Sequence, residues 1–233
     1  MSDAPDHAGT PARVVAIDGP SASGKSSTAR EVAARLGFLH LNSGLLYRAI
    51  TWVALRDGWI SGEDFGQRVV ALGLTLRPSP PGFILRIGGE RSGPMLQSAE
   101  VTARVSAVAA QAVVRETANA VMRQAGAADS LVADGRDIGT AVFPDAFLKI
   151  YLTASPEERA RRRLMERSEA TPAEAIEAEA RRLGERDRYD AARELAPLAK
   201  AEDAIELDTT ERSRGEVVDE IVRLYEAHLP GTG

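Results

Sequence analysis

Gly19-Pro20-Ser21-Ala22-Ser23-Gly24-Lys25-Ser26-Ser27 lies between two stretches of opposite pattern. Before it, Arg13 to Asp18 (RVVAID) is a short apolar run ending at an acid, the mark of a buried strand. After it, KSSTAREVAARLG reads as a helix, with Val32 and Leu36 on one face and Gly37 placed to end it. The stretch between matches G-x-x-x-x-G-K-[ST]. That spacing has a physical reason. Successive backbone N–H groups must turn inward around phosphate oxygens, glycine permits the required angles, and the following helix aims its positive end at the anion. Lys25 is expected to reach the β- and γ-phosphates of a nucleoside triphosphate, and Ser26 to offer its hydroxyl to Mg²⁺.

Outward from the loop, strands and helices alternate. A helix is expected over Gly44–Arg56, stopping near Asp57-Gly58. Between Leu72 and Pro94 the pattern changes to two alternating apolar runs around Pro80-Pro81-Gly82, which reads as a small β insert. The alanine-rich stretch from Ser98 to Ala125 has a helical pattern. Ser130–Asp134 and Phe147–Leu152 are strand-like, and Ala204–Leu207 is a shorter candidate. Ser155-Pro156-Glu157-Glu158 opens a helix with a serine cap, an early proline and a capping-box glutamate, and charged helical sequence runs on to about Arg193. A last helix covers Gly215–Leu229. Alternation of this kind predicts an α/β fold with a parallel sheet covered on both faces.

Composition narrows the function classes. The chain has 233 residues, enough for one domain with an insert. No cysteine is present, which removes thiolate chemistry, disulfides and cysteine metal sites and fits a cytoplasmic protein. Its three histidines, His7, His40 and His228, are scattered, so no histidine metal site is expected. The net charge of −5 does not suggest a nucleic-acid partner. No apolar run is long enough to span a membrane. The first twelve residues are polar and lack the pattern of a signal peptide, and are expected to be a disordered tail. Lysine occurs only at Lys25, Lys149 and Lys200, so arginine is informative only where it is placed.

The kind of loop protein follows from what surrounds the loop. A guanine-reading N-K-x-D is absent, because Lys149 and Lys200 follow Leu148 and Ala199. Three segments are distinctive: Leu41-Asn42-Ser43-Gly44-Leu45-Leu46-Tyr47-Arg48; Ala133-Asp134-Gly135-Arg136-Asp137-Ile138-Gly139-Thr140 with Val142-Phe143-Pro144; and Arg186-Asp187 with Asp190, Arg193 and Ala196-Pro197-Leu198. Together they resemble bacterial cytidylate kinases, from about Val14 to the C-terminus. The resemblance implies a nucleoside-monophosphate-kinase-like fold: a kinase domain over 13–233 with a β-rich monophosphate-binding insert at about 66–100 and a helical lid at about 155–188. It implies transfer of the ATP γ-phosphoryl group to CMP or dCMP, with Mg²⁺ as cofactor, by a protein expected to be monomeric.

Site residues carry over one by one. Residues Gly19 to Ser27 are expected to hold ATP, with Arg159 and Arg162 closing over it. Lys25, Arg136, Arg159 and Arg163 are expected to offset charge on the migrating group without a covalent enzyme intermediate. Arg48, Arg136 and Arg193, with the Ser43 hydroxyl, suit the acceptor phosphate, since guanidinium groups match phosphate oxygens in pairs. The cytosine amino group calls for an acceptor, which the resemblance assigns to Asp137 and Ser106; its ring acceptors call for a donor, assigned to Arg115. Arg186 and Asp190 match the family's ribose-side pair. Asp134 ends a strand where it can orient a Mg²⁺-bound water.

Blander readings stay open. Asp137 can pair with Arg136 in a loop, Arg186, Asp190 and Arg193 can form a salt-bridged helix face, and Arg159, Arg162 and Arg163 can be a solvated face with Glu157, Glu158 and Glu166. Ser106 and Arg115 point to opposite faces of one straight helix, so they meet one base only if the helix breaks between them. The family often has a proline at Ala112, a glycine at Ala22, an aspartate at Asn42 and a serine at Ala191. Another acceptor, such as UMP, AMP or a non-nucleotide alcohol, and a nucleotide-binding module without transfer are the alternatives.

Overall fold

The structure is a computed structural model, and it describes residues 12–60 and 64–230. The expected tail falls almost wholly outside them. Five parallel strands form the centre of the sheet: β1 (Val14–Asp18), β2 (Leu39–Asn42), β6 (Leu131–Asp134), β7 (Leu148–Thr153) and β8 (Ile205–Asp208), in the spatial order β2-β6-β1-β7-β8. All five residues of β1 and all four of β6 are buried. A parallel strand covered on both faces needs apolar residues on both, and VVAID and LVAD supply them.

The strand period divides the core in two. Val14 and Ala16 of β1 face one apolar layer, and Val15 and Ile17 face the other. The first layer is completed by Leu46 and Ile50 of α2 (Ser43–Arg56) and Val114, Ala118 and Met122 of α5 (Ala112–Ala128). The second is completed by Val32 and Ala33 of α1 (Lys25–Leu36) and Val217, Val218 and Ile221 of α8 (Arg214–Ala227).

The segment between α2 and α4 (Ala99–Val108) is β-rich and continuous with the central sheet. After α3 (Phe65–Ala71), strands β3 (Thr75–Ser79), β4 (Gly82–Ile87) and β5 (Glu90–Arg91) pair antiparallel with one another, and β4 joins the central sheet by a parallel bridge from Gly82 to His40 of β2. A Cβ at Gly82 would stand 2.8 Å from the His40 carbonyl oxygen, so the junction requires glycine. A single 3₁₀ turn, Pro94–Gln97, then leads into α4.

Two expected helices are each divided. The alanine-rich stretch is α4 and α5, broken at residues 109–111, with Gln111 extended at φ −78, ψ 133. The charged region is α6 (Pro156–Glu166) and α7 (Ala173–Ala191), separated by a turn ending at the extended Pro172. No helix among the described residues is long and apolar enough to cross a membrane.

Candidate active site

Asp18, Asn42 and Asp134 end three neighbouring parallel strands, and the site opens at that carboxyl edge, the usual place in open α/β sheets. The loop of residues 19–24 has three residues at positive φ. Gly19 (φ 146) packs so closely that a Cβ would lie 2.1 Å from the Leu152 carbonyl oxygen. Gly24 (φ 89) is left-handed and hands the chain to α1. Ala22 is also left-handed (φ 60), a conformation glycine adopts without strain and alanine does not.

The loop forms one wall of a cavity of about 460 Å³. Ala22, Gly24, Lys25, Ser26 and Ser27 line it; Gly19, Pro20, Ser21 and Ser23 stand behind that surface. Lys25 is buried, and its ammonium donates to the Pro20 carbonyl at 2.5 Å and to Ser23 Oγ at 3.2 Å. Burial, then the neighbouring Arg136 guanidinium, push its pKa well below the usual lysine value. Ser26 Oγ donates to Asp134 Oδ2 at 2.5 Å and accepts from Asn42 Nδ2 at 3.0 Å. One hydroxyl lone pair is left for a cation. The other Asp134 oxygen lies 2.7 Å from His40 Nε2. Hydroxyl and carboxylate oxygens are the hard donors that Mg²⁺ takes.

Every residue expected at the acceptor, Ser43, Arg48, Ser106, Arg115, Arg136, Asp137, Arg186, Asp190 and Arg193, also lines the cavity, and so does Arg163. The break at 109–111 is what lets Ser106 of α4 and Arg115 of α5 face the same space, and no proline is needed for it. Arg115 itself takes the Ala109 carbonyl at 3.2 Å, closing the end of α4. Asp137 forms a buried ion pair with Arg115 rather than with Arg136. Burial pushes the Asp137 carboxyl up, and the Arg115 guanidinium opposes that. Tyr47, on α2, places its ring 5.3 Å from the Arg115 guanidinium.

Asp190 joins two of the cavity's arginines. It pairs with Arg193 and, at 3.2 Å, with Arg136. Arg193 lies beyond the end of α7 and folds back to Asp190, so the three residues are not a plain helix face. Arg186 points into the cavity with a buried Nε that has no partner among the described residues. Burial and Arg136 lower its pKa to about 10. Ser43 Oγ donates to the Asp134 carbonyl at 2.8 Å, and Arg48 donates to the Leu96 carbonyl at 2.9 Å and Thr102 Oγ1 at 3.0 Å.

Two arginines of α6 depart from expectation. Arg159 and Arg162 do not line the cavity. Arg159 is buried behind the loop, donating to the Ser21 carbonyl at 3.0 Å and pairing with Asp187. Arg162 is taken by Glu158 at 3.0 Å and by Thr209. Both are drawn off by acceptors distant in sequence, Asp187 and Thr209, with Glu158, one turn back on the same helix, as Arg162's local partner. Arg163 does reach the cavity, and it also pairs with Glu166 at 2.9 Å. Asp187 and Asp18 were given no role by sequence reasoning. Arg186-Asp187 stood in the recognised motif, but its partner on the loop lies 166 positions away.

A phosphate loop and a set of arginines lining one cavity, at the carboxyl edge of a parallel sheet, define a P-loop kinase. The cytidylate kinase family profile matches residues 15–227, and the chain belongs to that family. Among curated relatives, the bifunctional pantoate ligase/cytidylate kinase of Synechococcus sp. (strain CC9311) is 45% identical over 218 residues, covering 91% of this chain and 44% of that protein. The chain thus spans less than half the length of these bifunctional relatives. The cytidylate kinase of Streptomyces griseus subsp. griseus is 43% identical over 217 residues, covering 91% of this chain and 92% of that protein.

Proposed function

We propose that the chain transfers the γ-phosphoryl group of ATP to CMP or dCMP, giving ADP and CDP or dCDP. The observation that carries this reading is the cavity with two differently built walls. The loop wall holds one polyphosphate. The other wall has its own arginines and, in Ser106, Arg115 and Asp137, a hydrogen-bonding set suited to cytosine. A module that only binds a triphosphate needs one such wall.

The reading assigns roles. The N–H groups of residues 22–26 and Lys25 hold the β- and γ-phosphates. Arg136, Arg186 and Arg193 hold the acceptor phosphate, aimed by Asp190. Asp137 accepts from the cytosine amino group, where uracil would present a carbonyl oxygen, and Arg115 donates to the ring acceptors. Ser26 and Asp134 would hold Mg²⁺, Asp134 through a bound water. The ion would supply neutralisation of phosphate charge. The insert and the α6–α7 hairpin flank the cavity as monophosphate-binding segment and lid, excluding water so that the nucleotide is the acceptor. A single chain carries both walls, and the reading needs no second copy.

The test is ADP release from ATP with CMP, dCMP, UMP, AMP or GMP as acceptor. Cytosine nucleotides are expected to be preferred. Asp137→Asn should lower kcat/KM for CMP by ~10- to 100-fold, the loss of a charge-assisted hydrogen bond worth roughly 1.5–3 kcal/mol, and should narrow the CMP-to-UMP ratio. No acceptor-dependent ADP release would favour the binding module, and preference for UMP would defeat the base-reading argument.

A further inference from the structure

We infer that Asp187 is a positioning residue for the donor half of the site: it fixes the Pro20–Ser21 peptide, and through it Lys25, when the lid hairpin lies against the phosphate loop. The inference rests on the kinase reading above and adds a residue to which that reading gave no role.

Ser21 is 1% exposed, and charged groups from three parts of the chain hold its three polar atoms. Its N–H donates to Asp187 Oδ1 at 2.9 Å. Its carbonyl accepts from Arg159 Nη1 at 3.0 Å, and its hydroxyl oxygen accepts from Arg136 Nη2 at 2.8 Å. Asp187 Oδ2 closes the arrangement by pairing with Arg159. Asp187 is on α7, Arg159 on α6 and Arg136 on the segment after β6. The two lid helices and the acceptor wall therefore meet at one loop residue.

The peptide plane carries the effect further. The Ser21 N–H and the Pro20 carbonyl belong to one planar unit and point in opposite directions. Drawing the N–H toward Asp187 aims the carbonyl the other way, at Lys25 Nζ, 2.5 Å distant. One turn of α7 thus serves both substrates. Arg186 and Asp190 line the cavity, while Asp187, a third of a turn round, holds the loop from behind. Moving the lid hairpin away would withdraw Asp187 and Arg159 together from Ser21, leaving its N–H and carbonyl without their charged partners.

The decisive variants are Asp187→Asn, which keeps an acceptor oxygen but removes the charge, and Asp187→Ala, which removes both. Three quantities are read on the full chain: the Kd of a non-hydrolysable ATP analogue by calorimetry, the KM values for ATP and for CMP, and ATP hydrolysis without acceptor. Expected is a weakening of analogue binding and a rise in KM for ATP of about tenfold in Asp187→Ala and less in Asp187→Asn, with KM for CMP within about twofold. Hydrolysis without acceptor should fall, because Lys25 is no longer held. Arg159→Ala combined with Asp187→Ala should be no worse than the poorer single variant, because both act through Ser21. The inference is overturned if analogue binding is unchanged in both variants, if KM for CMP rises as much as KM for ATP, or if the two substitutions are additive. Analogue binding is read without turnover. A wild-type protein that fails to phosphorylate CMP would therefore count against the kinase reading alone, and the Asp187 effect on the analogue would still be decided.

Discussion

Asp18 ends β1 and does not line the cavity, yet it holds the segment that does. Its two carboxylate oxygens accept from the N–H groups of Ile138 at 2.8 Å and Gly139 at 2.7 Å, the start of a single π turn directly after Arg136 and Asp137. Burial raises its pKa to about 6, and those two N–H bonds oppose the rise. The sign follows from linkage. With the folded pKa above the unfolded one, the folded state keeps a proton that the unfolded state has released. The stability this contributes is complete below about pH 4 and lost as pH rises through about 6. Asp18→Asn removes that dependence. It also offers one acceptor where two N–H groups ask for one each, at a cost of ~1–3 kcal/mol. Urea denaturation of both proteins at about pH 5 and about pH 7.5 should show the wild type more stable at both, with the gap narrowing by roughly 1 kcal/mol at the higher pH. A gap that widens with pH would mean that the two N–H bonds, not burial, govern this carboxyl. Turnover should fall too, because Arg136 and Asp137 lose their anchor.

At the level of elements, the junction of α4 and α5 shows what the chain itself encodes. Ala112 is the first residue of α5, where the N–H has no intrahelical partner, and Gln111 before it is already extended. Proline is tolerated at that helix position, and an extended residue is what precedes proline most readily. Ala112→Pro should therefore stabilise the fold by about 0.4–1 kcal/mol through the unfolded chain, raising Tm by a few degrees and leaving KM for CMP within twofold. A loss of stability would show that the break is held in a shape proline cannot take. The same junction marks where sequence stops being legible. The phosphate loop, four of the five central strands and the serine cap at Ser155 follow from local spacing and propensity, while β2 (Leu39–Asn42) was not read as a strand; Ser155 does accept from the Glu158 N–H at 3.2 Å. The break does not follow from them, since alanines favour helix on both sides of it. It is closed by Arg115 on the Ala109 carbonyl, a contact between two helices. The placement of Arg159 and Arg162 was hidden for the same reason: Asp187 and Thr209 capture them, and periodicity does not report pairings at that distance. Pro172 was a local signal for the gap between α6 and α7, and the run of charged residues around it masked the stop.

Charge is arranged at the scale of the whole molecule. The chain carries a formal net charge of −5, yet the cavity wall has eight basic residues against four acidic ones. The rest of the chain is therefore more negative than the total, and a positive recess is set in an acidic body. Such an arrangement focuses field lines at the opening, so anionic ligands are drawn to one place on the surface and repelled elsewhere. Ionic strength separates this from the short-range contacts inside. The screening length falls from roughly 30 Å at 0.01 M to about 10 Å at 0.1 M salt, so encounter is screened long before buried ion pairs such as Arg115–Asp137 are. Between about 20 and 200 mM salt, at fixed free Mg²⁺, kcat/KM for CMP should fall several-fold while kcat changes by less than about twofold. Viscosity-dependent kinetics would place the change in association. If kcat fell in parallel, salt would be reaching the cavity itself, and the lid hairpin would not be closing it from solvent during transfer.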